Sequence, residues 1–410
     1  MRIAQLAPLY EPVPPRYYGG TERVVAGLTE SLVRDGHDVV LFASGDSVTS
    51  AELVPCCARA LRLDAGVKDP MAHHIVQLGK LVERVSEFDV IHNHLDYLAF
   101  PLARALPLQM ITTVHGRLDL PDLQPLYTQY PEIRLVSISE AQRAPLPHAR
   151  WLATVYNGID VKRFTFRERP GSYLAFLGRI SPEKGLPHAI EIARAVDMPL
   201  RIAAKIDPVD RVYFTETIKP MLRDPRVEYI GEIDEAQKDE FLGHAYAYLF
   251  PITWPEPFGI TMIEAMACGT PVIAMAQGSV PEVVVRGQTG FICRSLREMV
   301  DAVQQVDQLS RRACRAHVEH RFSVEAMAAA YEAVYRKVLS EDKAYREVAQ
   351  SARHAAVDRA RAIPGIRPAA SLVRGRGTGN GGSVIHAREG ARDRGITNQG
   401  DGVEPTCSAP

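Results

Sequence analysis

Apolar positions fall into short β-branched or aliphatic runs that alternate with helix-length amphipathic segments from residue 1 to about 295. In the first half the runs Arg2–Ala7, Asp38–Ala43, Phe88–His92, Met110–Val114 and Arg134–Ser139 predict strands. After Pro170-Gly171 the pattern restarts, with runs at Tyr173–Leu177, Leu200–Ala204, Val227–Ile230, Ala247–Pro251 and Pro271–Ala274. Strands spaced by helices form parallel sheets with crossover connections, so the expected class is α/β with two doubly wound domains.

Helix ends are marked too. Thr21 is the expected N-cap of a helix over 22–35, with Val24, Val25, Leu28 and Leu32 on one face and Gly36 as its stop. Ser323 is expected to cap a further helix through Ser340, whose Met327, Tyr331, Val334 and Val338 make a stripe that must pack on something. From about Glu341 the pattern ends in an Ala/Arg-rich stretch and then the Arg/Gly-rich run 374–382. Too little apolar surface remains there to offset ordering entropy, so a largely disordered, solvated tail is expected, most clearly over about 365–410.

Composition narrows the class of function. The chain has 410 residues, 46% hydrophobic and 24% charged, with 48 Lys+Arg against 49 Asp+Glu for a net charge of -1. That suits a soluble protein of two or three domains and leaves no global positive field for gripping nucleic acid, so no specific nucleic-acid partner is expected. The six cysteines form no CxxC pair, as reduced thiols in a cytoplasmic protein would be arranged. No run of about 20 apolar residues and no signal-peptide core is seen, and no strong basic amphipathic helix supports membrane contact.

The most informative stretch runs from Trp254 to Ala274 (WPEPFGITMIEAMACGTPVIA). It reads as a strand end, a Pro-stiffened loop, a helix starting near Gly259 and a stop at Gly269 before the next strand. Such a loop lies at the carboxyl end of a strand, where open α/β sheets bind ligands, and the helix start offers backbone N–H groups to an anion. Glu256 on the loop is placed to bond sugar hydroxyls, and Glu264, with seven residues between them, to take a diol; an arbitrary Glu is a solvated acid, which the surrounding prolines and glycines argue against here. The loop Gly178-Arg179-Ile180-Ser181-Pro182-Glu183-Lys184-Gly185 follows another strand and presents two cations, a bidentate guanidinium and a point charge, suited to phosphate. Gly19-Gly20 at the start of the first long helix would let a diphosphate approach the backbone, but it is not the GxGxxG fingerprint of a dinucleotide enzyme. His115, between Val114 and Gly116, ends a strand within reach of a substrate hydroxyl. His73-His74 and His92-Asn93-His94 lack further ligands at metal-binding spacing, so no metal is expected.

Together these residues resemble the retaining GT-B glycosyltransferases of family 4, over residues 1 to about 340. The resemblance is carried by the Glu256-x7-Glu264 element, GRISPEKG, Gly278-Ser279-Val280-Pro281-Glu282 and Gly287-Gln288-Thr289-Gly290-Phe291, with GGTERVV, VHG, Ser137-Ile138-Ser139-Glu140 and Tyr156-Asn157-Gly158-Ile159-Asp160 in the first half. It implies two Rossmann-like domains facing across a cleft: an acceptor-side domain over 1–165, a nucleotide-sugar-binding domain over 166–322, a helix over 323–340 crossing back to the first, and the tail over 341–410. It implies that Arg179 and Lys184 bind the donor diphosphate and stabilise it as leaving group, that Glu264 holds the ribose, and that Glu256 contacts the transferred sugar. Phe258, Gly259 and Ile260 would complete the donor pocket by their backbone, Gly19 and Gly20 would approach the phosphates from the opposite wall, and His115 would meet the sugar's outer hydroxyls.

No metal or other cofactor is then expected, because Arg179, Lys184 and the helix start supply the positive charge. The implied reaction is hexose transfer from a nucleoside-diphosphate sugar, UDP-glucose ahead of GDP-mannose, to a hydroxyl acceptor. An acceptor pocket is expected near His92, His94, Asp96, Tyr97 and Arg117. The alternatives within the fold are a sugar-nucleotide epimerase or a phosphorylase, and outside catalysis a nucleotide-sugar sensor.

Overall fold

The computed structural model describes residues 1–341 apart from residues 18 and 107, so the expected tail lies outside the described residues. Seven strands form the first sheet: β1 (Arg2–Leu6), β2 (Asp38–Ser44), β3 (Glu52–Cys57), β4 (Val90–Asn93), β5 (Met110–Thr113), β6 (Leu135–Ser137) and β7 (Trp151–Thr154). Their order is β3, β2, β1, β4, β5, β6, β7, and every pairing is parallel. Six more build the second: β8 (Tyr173–Arg179), β9 (Leu200–Lys205), β10 (Val227–Gly231), β11 (Ala245–Phe250), β12 (Val272–Met275) and β13 (Gly290–Cys293). These lie in the order β10, β9, β8, β11, β12, β13, again all parallel.

Both sheets are doubly wound, and the strand order reverses between β1 and β4 in one and between β8 and β11 in the other. At such a reversal the connections leave toward opposite faces and open a crevice at the carboxyl ends of the strands. Five helices bear on that crevice and its closure: α1 (Gly20–Arg34), α2 (Leu186–Ala195), α3 (Glu235–Gly243), α4 (Ile260–Ala267) and α5, which spans 324–341 among the described residues.

The ten strands expected from the apolar runs form within two residues of the expected ends. Three others, β3, β7 and β13, escaped the pattern, and each lies at a sheet edge with a single neighbour. An edge strand has less to bury: Glu52, Leu53 and Val54 are at best half-buried, and Pro55 is tolerated in β3 because no further strand needs its missing N–H.

Thr21 is not the N-cap of α1. The helix starts at Gly20 with Gly19 as its cap residue, and no side chain caps it. A Cβ on Gly19 would sit 2.7 Å from Cβ of Pro15, so the Pro-rich loop packs on bare backbone and the helix begins earlier than a side-chain cap would place it. Gly36 does stop the helix, in the left-handed region at φ 85°.

Ser323 caps α5, its Oγ accepting from Ala326 N at 3.2 Å. The stripe of Met327, Tyr331, Val334 and Val338, joined by Tyr335, is buried against Ile3, Val24, Leu28, Val90 and Ile111 of the first sheet and α1. The helix that follows the second sheet thus completes the core of the first. Beside it the two connections between the sheets cross as a short parallel bridge, Ile159 N to Phe322 O at 2.9 Å and Val324 N to Ile159 O at 3.0 Å. Gly158 makes this approach feasible, since a Cβ there would lie 2.3 Å from Ser323 O.

Candidate active site

Every candidate chain segment ends in the crevice. The loop after β1 delivers Gly19 and Gly20, the loop after β4 His94 and Asp96, and the end of β5 His115. From the other sheet, β8 delivers Arg179 and Lys184, and β11 delivers Glu256 through Ile260. These residues line one cavity of about 500 Å³, and Glu264 lines an adjoining chamber of about 110 Å³ shared with Gly19, Gly20 and Ile260. A Cβ on Gly20 would stand 3.6 Å from Ile260 Cδ1, so the starts of α1 and α4 face each other across the opening.

The turn after β8 is shaped by Gly185, at φ 71°, whose bare Cα lies against Pro251 O. Lys184 Nζ reaches Glu256 Oε2 at 2.5 Å, and Trp254 Nε1 donates to the same oxygen at 3.0 Å. The ammonium also stands 5.1 Å from the Trp254 ring centre, and Arg117 of the first domain lies over the same ring at 5.3 Å. Arg179 donates to Glu183 at 2.6 Å and lies 3.7 Å from Asp207 and 3.6 Å from Asp210. The two cations of this loop are therefore balanced by carboxylates, two of them from the segment after β9, which no reading of the loop alone would include.

Glu256 is held by its backbone as well. Ser279 N donates to Glu256 O at 3.0 Å, and Ser279 Oγ to Phe258 O at 2.8 Å. A Cβ on Gly278 would lie 2.3 Å from Glu256 O, so the Gly-Ser pair of the GSVPE element is a buttress for the Glu256 loop. Gly259 caps α4 at φ 78°, where a side chain would strike the Phe250 ring. Beyond the buttress, Glu282 accepts from Glu140 N at 2.7 Å and Ala141 N at 2.8 Å, bridging the two domains.

Glu264 is 2% exposed, far from a solvated helix acid. Lys238 of α3 holds it at 2.6 Å and bonds Glu235 at 2.7 Å, while Arg23 of α1 pairs with Glu235 and stands 3.9 Å from Glu264. One Glu264 oxygen is thus fixed by Lys238, which turns the carboxylate into an oriented acceptor at the chamber wall.

On the first-domain wall, Asp96 takes the left-handed region at φ 48° and receives the backbone N–H of His115 at 3.3 Å. His115 Nε2 lies 2.9 Å from His94 Nδ1. Burial pushes His115 down to about 4 and Asp96 up to about 6. Glu22, in the first turn of α1, lines the same cavity, and burial pushes its carboxyl up to about 7.

All ten candidate residues are thus brought to one crevice. Of the expected acceptor-side group, His94 and Asp96 line the cavity and Arg117 reaches Trp254. His92 does not: it is fully buried, held between Thr113 Oγ1 at 2.7 Å and Tyr335 Oη at 2.8 Å, and packs against α5. A strand alternates its faces, so His92 and His94 share one face, but only the later residue reaches the carboxyl end. Lys238, Trp254, Glu22, Asp207 and Asp210 were missed. The acids at 207 and 210 follow β9 at its carboxyl end, a position that marks them; Lys238 shows locally only an i,i+3 pair with Glu235, and its bond to Glu264 is made through the fold. Among the described residues, no group of three or more His, Cys, Asp or Glu side chains is placed to hold a metal, and no helix is long and apolar enough to cross a membrane.

Two facing Rossmann-like domains with this cavity between them are the GT-B arrangement of glycosyltransferases. Residues 18–163 match the family model for glycosyltransferase family 4, and residues 162–323 that for glycosyl transferases group 1. The chain belongs to the family 4 GT-B glycosyltransferases. Glycogen synthase of Mycobacterium tuberculosis is 27% identical over 397 residues, spanning 82% of this chain and 94% of its own. Phosphatidyl-myo-inositol mannosyltransferase of Mycolicibacterium smegmatis is 28% identical over 329 residues, 71% of this chain and 80% of its own. Among solved structures, sucrose-phosphate synthase from Thermosynechococcus elongatus superposes with a TM-score of 0.67 at 20% identity, covering 83% of this chain and 100% of that one. Anabaena HepE, solved with UDP-glucose, gives 0.63 at 17% identity over 83% and 100% of the two chains.

Proposed function

We propose that this glycosyltransferase moves a hexose from a nucleoside-diphosphate sugar to a hydroxyl acceptor with retention of anomeric configuration, UDP-glucose being the first donor to test and GDP-mannose the second. The observation that carries the reading is the convergence of Arg179, Lys184, Glu256 and His115 on one cavity, with the oriented Glu264 in the chamber beside it. The ribose diol bonds Glu264, and the diphosphate lies between the Gly19-Gly20 backbone and the Arg179 and Lys184 side chains. The Phe258, Gly259 and Ile260 backbone closes the pocket around the sugar. Glu256 and His115 hold the sugar's hydroxyls from opposite walls.

In the transfer, the bond from the anomeric carbon to the diphosphate oxygen breaks, and the acceptor oxygen bonds that carbon on the same face. The acceptor proton passes to the departing phosphate oxygen, whose charge Arg179, Lys184 and the start of α4 stabilise, so the reading needs no resident metal or other cofactor. Glu256 orients the sugar and forms no covalent bond.

UDP-, GDP- and ADP-sugars are screened by thermal shift, where a ligand at 100 times its Kd adds roughly 2.7 kcal/mol of stability. The best donor is then incubated with candidate acceptors, and the product's anomeric centre is read by NMR. Stabilisation by one donor followed by a retained-configuration product is expected. No stabilisation by any donor, or an inverted product, overturns the reading.

A further inference from the structure

Behind His115 a file of buried polar groups runs to the crossing helix. His115 Nε2 lies 2.9 Å from His94 Nδ1, and His94 Nε2 lies 2.8 Å from Gln5 Oε1. Gln5 Nε2 donates to Tyr335 Oη at 3.3 Å, and Tyr335 Oη lies 2.8 Å from His92 Nδ1. His92 Nε2 then meets Thr113 Oγ1 at 2.7 Å, and Thr113 lies 3.0 Å from Tyr331 Oη. Gln5, His92 and His94 are all at least 98% buried, so no bulk water is on hand to substitute for a missing partner.

The amide of Gln5 sets the direction of this file. Its Oε1 has no proton, so His94 must donate from Nε2. A neutral imidazole carries one N–H, which leaves His94 Nδ1 as an acceptor. His115 must then donate from Nε2, and its own Nδ1 is left without a proton. On the other side, Gln5 Nε2 donates to Tyr335, whose single O–H is free to go to His92 Nδ1, and His92 donates onward from Nε2 to Thr113. Every link runs the same way. Burial holds His92 and His94 well below the ordinary histidine range, so both are neutral near pH 7 and the one-proton rule applies to each.

We propose that Gln5 and His94 are positioning residues that lock His115 as the Nε2–H tautomer, so that its Nδ1 is available only as an acceptor of a hydroxyl proton from the substrate. Tyr335 anchors the Gln5 amide from α5, which ties the tautomer at the cavity wall to the docking of the crossing helix. The proposal rests on the function assigned above only in taking the hydroxyl as that of a bound sugar or acceptor.

The test uses the full-length protein with 15N-labelled histidine, in which protonated and bare ring nitrogens resonate far apart, together with Gln5→Met and Gln5→Glu. Gln5→Met deletes the acceptor at nearly constant volume; Gln5→Glu restores an acceptor oxygen. In the parent, His94 and His115 should each show Nε2 protonated and Nδ1 bare. Gln5→Met should give mixed tautomers at both rings and lower kcat about tenfold with donor KM within about twofold, and Gln5→Glu should restore the parent tautomer at His115. Protonated Nδ1 on His115 in the parent, or unchanged tautomers and kcat in Gln5→Met, overturns the proposal. If Gln5→Met does not fold, the parent spectrum alone decides. Absence of any transfer by the parent would instead count against the proposed function and leave the tautomer measurement standing.

Discussion

Lys184 Nζ and Glu256 Oε2 lie 2.5 Å apart and join the turn after β8 to the loop after β11. Both side chains are mostly buried, so in the free protein each neutralises the other at the floor of the cavity. On the function proposed above, a diphosphate arriving at Lys184 would compete with Glu256 for the ammonium and release the carboxylate toward the sugar. Lys184→Met and Glu256→Gln should each lower kcat about 100-fold, the usual cost of one preorganised electrostatic contact. Far-UV circular dichroism and thermal unfolding check that both stay folded, and turnover within a few-fold of the parent in either variant contradicts this assignment.

Lys238 and Glu264 form a second pair, with Glu264 buried at the chamber wall. Removing one partner leaves an uncompensated buried charge, which typically costs about 3–5 kcal/mol. Arg23, 3.9 Å away, compensates in part, so Lys238→Met should destabilise by about 2–3 kcal/mol. The double variant Lys238→Met/Glu264→Gln should recover most of that loss in urea unfolding. Additive losses would show that the two side chains do not depend on each other.

Stability should also depend on pH with a defined sign. Folded His115 titrates near 4 against an ordinary 6.5, and His92 and His94 are depressed as well. Between those values the unfolded chain binds more protons, so stability present above 6.5 is lost as the pH falls toward 4. His115 alone contributes at most about 3 kcal/mol to that loss. Urea midpoints measured from pH 7 to 4 should fall steeply, and less steeply in His92→Gln; a flat profile would contradict the buried neutral rings.

Glu22 has the opposite sign. Its folded carboxyl titrates near 7 against an ordinary 4.5, so the folded state binds the extra proton and stability is lost as the pH rises through that window. Glu22→Gln removes the burden of a desolvated charge. The variant should gain up to about 2–3 kcal/mol over the parent at pH 8 and nothing at pH 4, read from the same unfolding series. An equal difference at both pH values would mean that the carboxyl is not the titrating group.

Central strands were legible in the sequence because they are buried on both faces and read as continuous apolar runs, as in Val39 to Ala43 or Leu249 and Phe250. The loops at their ends announced the cavity through residue types that strand ends demand: glycines where backbone packs on backbone, prolines that stiffen, and a few charges between them. What a sequence does not print is which charges meet. Glu264 finds Lys238 across 26 residues and Glu282 reaches the backbone of Glu140 across 142, pairings fixed only when two sheets have packed. His92 shows the same limit in reverse. Two residues from His94, it has the same chemistry and faces the same side of the sheet, yet α5 covers one ring and the cavity receives the other.

The crossing helix also sets a timetable for synthesis. Ile3, Val24 and Leu28 are among the first residues made, but Tyr331, Tyr335 and Val338, which cover them, come more than 300 residues later. At roughly 5–20 residues per second, the first sheet waits on the order of tens of seconds for the last piece of its own core. During that interval the nascent chain carries an uncovered apolar face while its second half is still being translated. A ribosome-associated chaperone would find its binding site there, and a chain that stops short of residue 338 would keep that face open.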